Sequence, residues 1–378
     1  MPFVLFGLTL LGVALFHSRA MWIALAGLVA VFAYRLIFTE FDPAGHLLHE
    51  WRPLVNLLGL LVGFALLAAW FEESRIPQIL PRFLPGGWRG PFALLCIVFV
   101  LSAFLDNIAA ALIGGTIAAT VYGDRVHVGF LAALTAAANA GGAGSVVGDT
   151  TTTMMWVRGV SPLCVMEATI ASAAALIVFG LIAARQQAAH QHAARPSHAA
   201  ITIDWTCVGI VALILALTIV ANVLIDLPAA GVWAAIVIAW PLRRPAFDEI
   251  PAAAKGAAFL LALVLCASMM PVDELPPASW HTALALGFVS AVFDNIPLTK
   301  LCLDQGGYDW GVLAYAVGFG GSMLWFGSSA GVALAGKFPQ AKSVARWLRD
   351  GWHLPLAYVV GFFTLLATLG WHPHELPK

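Results

Sequence analysis

The chain has 378 residues, of which 61% are hydrophobic and only 10% are charged, and its formal net charge is −1 at pH 7. Soluble globular proteins carry a charge on about a quarter of their residues, so this composition excludes that class and indicates an integral membrane protein. The five cysteines are isolated and lie mostly within apolar runs, so neither a disulfide framework nor a zinc site is expected.

The first apolar segments have the lengths of membrane helices, and they are followed by a longer, interrupted one. The first three predicted spans are residues 3–16, 20–38 and 53–71. The run 91–121 would be about 46 Å long as a single helix, which exceeds the roughly 30 Å of hydrocarbon in a bilayer. Asp106 and Asn107 interrupt this run, so a re-entrant helical hairpin is predicted, with its tip surrounded by protein or by a water-filled cavity.

A glycine-rich break marks the next segment, residues 126–157. It contains Gly141 and Gly142, two further glycines close behind, and then Asp149 with a run of threonines. Glycines disfavour a continuous helix and polar side chains are costly against lipid, so a broken helix is predicted here. One more span is expected at residues 160–184, and the polar residues 185–204 are the predicted cytoplasmic linker.

The second half repeats this order of elements. Spans are predicted at residues 205–225, 228–242, 255–270 and 353–371, with a hairpin at 281–303 and a broken helix at 310–335. Asp294-Asn295 repeats Asp106-Asn107 after 188 positions, and Gly320-Gly321 repeats Gly141-Gly142 after 179. This self-similarity predicts two repeats, 1–184 and 205–378. Because each has five crossings, an odd number, the repeats are expected to be inverted in the membrane.

Loop charges predict the orientation. The topology places fourteen basic residues on one side, and these are Arg19, Arg75, Arg82, Arg89, Arg125, Arg185, Arg195, Arg243, Arg244, Lys255, Lys337, Lys342, Arg346 and Arg349. The other side receives only Arg52, Arg158 and Lys378. The richer side is expected to be cytoplasmic, so both termini are predicted outside the inner (cytoplasmic) membrane of the cell.

Polar residues at the helix breaks are the candidates for function. A charged side chain at the bilayer centre costs about 2.5 to 3.5 kcal/mol, so Asp106, Asp149 and Asp294 need partners or a role. One role is structural, because Asp and Asn are good N-caps. The other is cation binding, with neutral ligands nearby. Those neutral candidates are Asn107, Thr150, Thr151, Asn295, Ser328, Ser329 and the backbone at Gly141, Gly142, Gly320 and Gly321.

Together these motifs resemble the NhaD-type sodium/proton antiporters. Those belong to the ion-transporter superfamily, which also holds arsenite permeases and divalent-anion/sodium symporters, and the resemblance covers nearly the whole chain. It implies a homodimer and elevator-like alternating access. The symporter branch has hairpin tips that resemble Ser-Asn-Thr, whereas this chain has Asp106-Asn107 and Asp294-Asn295, whose carboxylates are expected to repel anions.

Lys300 is the main departure from that family, because an apolar residue would be expected six positions after Asp294. Its side chain could snorkel to the outer surface, or it could pair with Asp294 or Asp106. It could also attract an anion. The last possibility supports an alternative function, a permease for arsenite or for an anionic substrate such as a carboxylate or oxyanion.

The leading hypothesis is exchange of sodium or lithium for protons. A carboxylate that binds the cation must lose its proton, so the two ligands compete for one site, with Asp106 and Asp294 as the first candidate sodium ligands. The sequence shows no soluble domain and no nucleophile-base constellation, so an enzyme is not expected. No cofactor and no nucleic-acid partner are predicted, and the chain is expected to lie in the lipid bilayer.

Overall fold

The computed structural model describes residues 1–16, 19–123, 125–190 and 201–374, and this part of the chain contains helices and no strand. The helices of the first half are α1 Pro2–Leu15, α2 Ala20–Phe38, α3 Pro43–Glu73, α4 Ile76–Ile79, α5 Arg89–Ser102, α6 Asn107–Tyr122, α7 Val128–Ala143, α8 Thr150–Val157, α9 Pro162–Met166 and α10 Ala168–His190. Those of the second half are α11 Trp205–Ile225, α12 Pro228–Ala239, α13 Ile250–Ser268, α14 Trp280–Ser290, α15 Asn295–Gln305, α16 Trp310–Gly320, α17 Ser329–Lys337, α18 Val344–Asp350 and α19 His353–Leu369.

Several helices are long and apolar enough to cross a bilayer. Within the described ranges there are 5 such helices, namely α2, α3, α9 with α10, α11, and α13 with the turn before it. Helices α18 and α19 meet at 57° and make a sixth if they count as one bent span. The chain is therefore an all-helical integral membrane protein. The other predicted crossings consist of shorter apolar helices, so the total of ten remains a prediction.

Two helix boundaries and one additional helix differ most from the sequence prediction. Helix α3 begins at Pro43 instead of residue 53, because Asp42 caps it and a buried Glu50 lets the helix continue through polar positions. Helix α10 runs on to His190, six residues into the predicted linker. Residues 191–200, which make up most of the remaining linker, lie outside the described part. Helix α18 was not predicted, because its polar composition hides it from a search for apolar runs.

The helices pack in two groups. The peripheral group consists of α1–α3 and α11–α13, and the central group consists of α5–α8, α10, α14–α17 and α19. Every residue of α7 and every residue of α16 is buried, so these two helices form the middle of the central group. The two groups meet where α13 packs on α15 and where α3 packs on α6 and α8.

Two helix pairs in the central group fold back on themselves. A β-carbon on Gly114 of α6 would contact Val98 of α5, and one on Gly90 would lie 3.8 Å from the Tyr122 hydroxyl, so the start of α5 meets the end of α6. In the second pair, Gln305 at the end of α15 donates a hydrogen bond of 2.7 Å to the Pro276 carbonyl, just before α14. Both pairs are thus helical hairpins, and their turns carry Asp106 and Asp294.

Candidate ion-binding site

The three aspartates of the helix breaks all cap the helix that follows them. Oδ1 of Asp106 accepts a hydrogen bond from the Ile108 amide at 2.9 Å, and Oδ1 of Asp149 accepts one from the Thr151 amide at 2.9 Å. Oδ1 of Asp294 accepts one from the Ile296 amide at 3.0 Å. The capping role expected from the sequence is therefore present at all three positions. Capping uses Oδ1 of each residue, and Oδ2 of Asp149 is buried without a hydrogen-bond partner in the described structure.

The hydroxyl groups beside the breaks divide into two sets. Thr152 and Thr153 donate to the backbone carbonyls of Ser145, Val146 and Asp149, which is a structural role. Thr151 is different, because its Oγ1 is buried without a hydrogen-bond partner in the described structure. Thr150 lines a small cavity together with Asp106 and Asp149, and Ser328 and Ser329 line a larger one with Asp294.

Asn139 on the buried helix α7 connects the two halves of the site. Its Oδ1 accepts a hydrogen bond of 3.2 Å from the Asn107 side chain. Its Nδ2 donates to the hydroxyls of Ser322 and Ser328, both at 2.9 Å. This amide therefore ties the first hairpin to the break between α16 and α17. The sequence analysis assigned no role to Asn139; the available signal was a single amide in an otherwise Ala- and Gly-rich helix.

The corresponding position on α16 is a glycine. Gly318 follows Asn139 by 179 positions, the offset that also relates Ala143 to Ser322 and Asp149 to Ser328. A β-carbon on Gly318 would lie 3.1 Å from the Ala143 Cβ and 3.7 Å from Asp149 Oδ2. Gly318 therefore faces the residues that correspond to Ser322 and Ser328, two of the three hydrogen-bond partners of Asn139.

Two buried polar atoms beside the helix breaks lack a hydrogen-bond partner among the described residues. Asp149 Oδ2 has no hydrogen-bond partner in the described ranges, and neither has the Nδ2 atom of Asn295. Asn295 follows Asn107 by 188 positions, and Asn107 is the residue that bonds to Asn139. An unpaired polar atom in a protein interior costs about 1 to 3 kcal/mol, so the lack of partners at these two atoms is destabilising.

Other contacts recur in the two halves with the same offsets. The Ser102 hydroxyl donates to the Ala138 carbonyl at 2.5 Å, and the Ser290 hydroxyl donates to the Val317 carbonyl at 2.8 Å. A β-carbon on Gly141 would collide with the Phe99 carbonyl, and one on Gly320 with the Gly287 carbonyl.

A β-carbon on the second glycine of each pair, Gly142 or Gly321, would lie 2.7 Å from the Gly148 carbonyl oxygen or 2.8 Å from that of Gly327. Gly141 and Gly320 thus allow close backbone contact with the hairpins, and Gly142 and Gly321 allow it within the helix breaks.

Two adjoining cavities reach the hairpin tips. One has a volume of about 480 Å³ and extends from Glu72 and Glu249, both exposed, to Asp106. The other has a volume of about 310 Å³ and is lined by Asp294, Ser328 and Ser329. Both cavities are bordered by Ile108, Gly256 and Leu260. A small polar solute can therefore approach both carboxylates from the same side of the molecule.

Lys300 has partners that the sequence analysis did not identify. The residue is 2% exposed, so its side chain does not snorkel to the surface. Its Nζ lies 2.9 Å from Glu50 Oε1 and 2.6 Å from Asp304 Oδ1. Its ion-pair partners in the described part of the chain are these two carboxylates, in place of the expected Asp294 or Asp106. Asp304 was detectable four residues along the same helix, whereas Glu50 is 250 positions away.

The described residues contain no cluster of side chains suited to a transition metal. Among the residues that the structure describes, no group of three or more His, Cys, Asp or Glu side chains could hold a metal ion. The polar atoms brought together are single carboxylates, amides and hydroxyls. Hard oxygen ligands of this type suit a small cation better than a soft metal.

These features define a helical integral membrane protein whose interior holds carboxylates at helix breaks, with cavities leading to them. The chain is similar to Sodium/proton antiporter 1 of Arabidopsis thaliana, with 29% identity over 297 residues, which cover 66% of this chain and 51% of the relative. It is also similar to Sodium/proton antiporter 2 of Arabidopsis thaliana, with 26% identity over 294 residues, or 65% of this chain and 69% of that relative. The chain thus spans about half the length of the first relative, and no family model matches it.

Proposed function

We propose that the protein is a secondary transporter that exchanges sodium or lithium ions for protons. The observation that carries this proposal is the set of three carboxylates at helix breaks, each of which uses Oδ1 to cap the helix that follows it. The names of the two relatives support the same activity. A transporter of this kind needs a polar site inside the membrane and access to it, and the cavities reach Asp106 and Asp294.

Exchange follows from competition at these carboxylates. A protonated carboxyl is neutral and has one less acceptor oxygen, so a cation binds after the proton leaves. When the cation leaves on the other side, the carboxylate can take a proton for the return step. One binding site then couples the two ions. Asp106, Asp149 and Asp294 are the proposed exchanging groups, and Asn107, Asn295, Thr150, Thr151, Ser328 and Ser329 are the proposed neutral neighbours.

Within this site, the space beside Gly318 is the proposed position of the cation. Asp149 Oδ2 and Thr151 Oγ1 are buried and unpaired in the described structure, and both are oxygen ligands. The Asn295 amide can present its oxygen by a flip of the side chain, because the two amide atoms are assigned from the hydrogen-bond network. A hard cation needs several oxygen ligands, and these three groups would supply them.

The architecture proposed for transport is a pair of inverted repeats with two re-entrant hairpins. The contacts Ser102–Ala138 and Ser290–Val317, which recur with constant offsets, support the repeats. The packing of the helices into a peripheral and a central group supports elevator-like movement of one group against the other. We propose a homodimer held in the inner (cytoplasmic) membrane, with the Glu72 end of α3 on the cytoplasmic side.

The alternative, a permease for arsenite or an anion, rested on Lys300 and on the breadth of the superfamily that the chain resembles. Because Glu50 and Asp304 neutralise Lys300, its charge is not available to attract an anion. Among the described residues, no Lys or Arg lines either of the two large cavities. The contacts of Lys300 therefore favour cation exchange over the alternative.

The proposed function is tested by ion exchange in proteoliposomes. The purified chain is reconstituted, and proton movement is followed by fluorescence while sodium, lithium, potassium or arsenite is added. Asp106→Asn, Asp149→Asn and Asp294→Asn are each expected to abolish exchange, since an amide cannot release a proton. Asp226→Asn is the matched control, because Asp226 is exposed at the end of α11. Full sodium/proton exchange by the three site variants would refute the proposal.

A further inference from the structure

Four charged residues form an ion-pair network away from the proposed ion site. Lys300 contacts Glu50 at 2.9 Å and Asp304 at 2.6 Å. Arg158 contacts the same two carboxylates, Asp304 at 2.6 Å and Glu50 at 3.6 Å. Two cations and two carboxylates balance in charge. The side chains of Lys300 and Glu50 are 3% and 4% exposed, so the pair at the centre of the network is isolated from solvent.

The network joins the two helix groups. Glu50 lies on α3 of the peripheral group. Lys300 and Asp304 lie on α15 of the central group, and Arg158 ends α8 of the same group. The hydrogen bond from Lys300 to Glu50 therefore links parts of the molecule that would have to separate if one group moved against the other.

The network lies on the opposite side of the molecule from the large cavities. Glu50 and Glu72 are 22 positions apart on α3, which corresponds to about 33 Å along a helix, the thickness of a bilayer core. Glu72 borders the cavity of about 480 Å³ that reaches Asp106. The open side is therefore the Glu72 side, and the network marks the Glu50 side.

Two small voids lie between the aspartates and the network in the described part of the chain. One of about 10 Å³ is bordered by Asp106, Asp149 and Thr153. The next, of about 20 Å³, is bordered by Thr153, Arg158 and Lys300. A cavity of this size holds at most about one water molecule. The residues that line these two voids thus form a continuous path from Asp149 toward the Glu50 side. The voids themselves are too small to let a solute pass.

We propose that the Glu50–Lys300–Asp304–Arg158 network is the gate that closes the ion site on the Glu50 side, and that it separates when this side opens. The inference rests on the proposed transport function, because a gate has meaning only if the site is reached from both sides. Lys300 and Glu50 are positioning residues, since they contact neither ion nor proton at the proposed site.

Buried ion pairs suit a gate that must open repeatedly. Removing charged groups from water is costly, and this cost offsets much of their mutual attraction. When the gate opens, water returns to the charges and compensates for the lost contacts. Glu50 adds to this effect, because its Oε2 is buried without a partner among the described residues and would gain hydration.

The test measures which side of the membrane reaches residues on either side of the gate. Met154 is buried and borders the void beside Lys300, whereas Ala252 borders the large cavity. Each is replaced by cysteine in a chain whose five natural cysteines are changed to serine or alanine. A membrane-impermeant maleimide is then added to right-side-out or inverted vesicles. For each cysteine, the labelling rate is compared between the protein with an intact network and a variant in which the network is removed.

The gate is removed by Lys300→Met together with Glu50→Gln, which leaves the Arg158–Asp304 pair neutral. Labelling of Met154→Cys from the Glu50 side is expected to rise about tenfold, and labelling of Ala252→Cys from the Glu72 side to fall, as expected for a shift in population. The matched control is Arg243→Met with Glu73→Gln. It removes an exposed ion pair of 3.1 Å at the other end of α3 and should change neither rate.

Unchanged labelling in a folded, monodisperse double variant would overturn the proposal. If that variant does not fold, Lys300→Gln with Glu50→Gln keeps polar side chains at both positions while it removes the charged link between the two groups, and it must give the same shift. Labelling requires no ion gradient. A shift in accessibility without any sodium exchange in the parent chain would refute the proposed ions and support the gate. Sodium exchange in the parent chain with unchanged accessibility in the variant would support the proposed ions and refute the gate.

Discussion

The Asn139 amide donates a hydrogen bond of 2.9 Å to the Ser328 hydroxyl, although the two residues are 189 positions apart. Ser328 also caps α17, so its hydroxyl oxygen accepts both this bond and one from the Gly331 amide. The start of α17 is thereby fixed relative to α7. A polar contact in the buried centre of the protein thus sets the geometry of one helix break beside the proposed ion site.

Asn139→Ala is expected to impair both stability and exchange. The substitution leaves Asn107, Ser322 and Ser328 without their shared partner. Each buried polar group that loses its partner costs about 1 to 3 kcal/mol. We expect a lower thermal unfolding midpoint and a loss of about tenfold or more in kcat/KM for sodium, since 1.4 kcal/mol corresponds to a factor of ten. Both are measured on the purified protein in detergent and in proteoliposomes.

Thr218→Ala is the control for this prediction. Thr218 is buried on α11, but its hydroxyl bonds only to the Ile214 carbonyl of the same helix. Its removal should lower the unfolding midpoint slightly and leave sodium exchange at the parental rate. Equal exchange in Asn139→Ala and Thr218→Ala would show that Asn139 has no part in forming the site.

The apparent affinity for sodium is expected to depend on pH in one direction. As pH falls, the binding carboxyl gains a proton and can no longer take the cation. In the range where it is mostly protonated, the KM for sodium should rise about tenfold for each pH unit, because one proton is displaced per ion. At higher pH the KM should become constant. The measurement is a sodium titration of exchange between pH 6 and pH 9, and a KM that does not change over this range would contradict direct competition.

Much of the site was accessible from the sequence because its polar residues interrupt apolar runs. Asp106, Asp149 and Asp294 stand out for this reason, and the structure places each at the start of a helix. The repeated offsets of 188 and 179 residues also indicated which parts of the two halves correspond. These are local signals, and they depend only on the neighbouring sequence.

Contacts between distant segments were not accessible in the same way. Glu50 lies outside the predicted apolar span 53–71, whereas the structure includes it in α3. Its partner Lys300 is 250 positions away, so nothing in either local sequence connects them. The Asn139 contacts were missed for the same reason. The positions of the apolar segments predict which helices exist, whereas the polar contacts between helices depend on how the helices pack.

His353→Leu is expected to stabilise the protein. His353 is fully buried at the start of α19, and both of its ring nitrogens have no hydrogen-bond partner in the described ranges. Replacing an unpaired buried polar group by an apolar one of similar size removes a penalty of about 1 to 3 kcal/mol. The unfolding midpoint should therefore rise.

Tyr358→Phe on the same helix is the comparison for His353→Leu. The Tyr358 hydroxyl donates to the Leu284 carbonyl at 2.9 Å, so its removal should lower the midpoint. Both midpoints can be obtained by heating the detergent-solubilised protein. A lower midpoint for His353→Leu would indicate that the imidazole has a partner, such as a buried water molecule.

Gly318→Ala is expected to weaken sodium binding with little loss of stability. The added methyl group would lie 3.7 Å from Asp149 Oδ2, in the space proposed for the cation, and 3.1 Å from the Ala143 Cβ. The second contact requires a shift of a few tenths of an ångström, which buried helices tolerate at modest cost.

Gly336→Ala is the matched control, because nothing lies within 4 Å of its β-carbon. Ala in a helix interior should add about 0.5 to 1 kcal/mol of stability. We expect the KM for sodium to rise at least about threefold in Gly318→Ala alone, and more for a larger side chain in Gly318→Val, since a buried site is sensitive to added volume. An unchanged KM in a folded Gly318→Ala protein would place the cation elsewhere among the three aspartates.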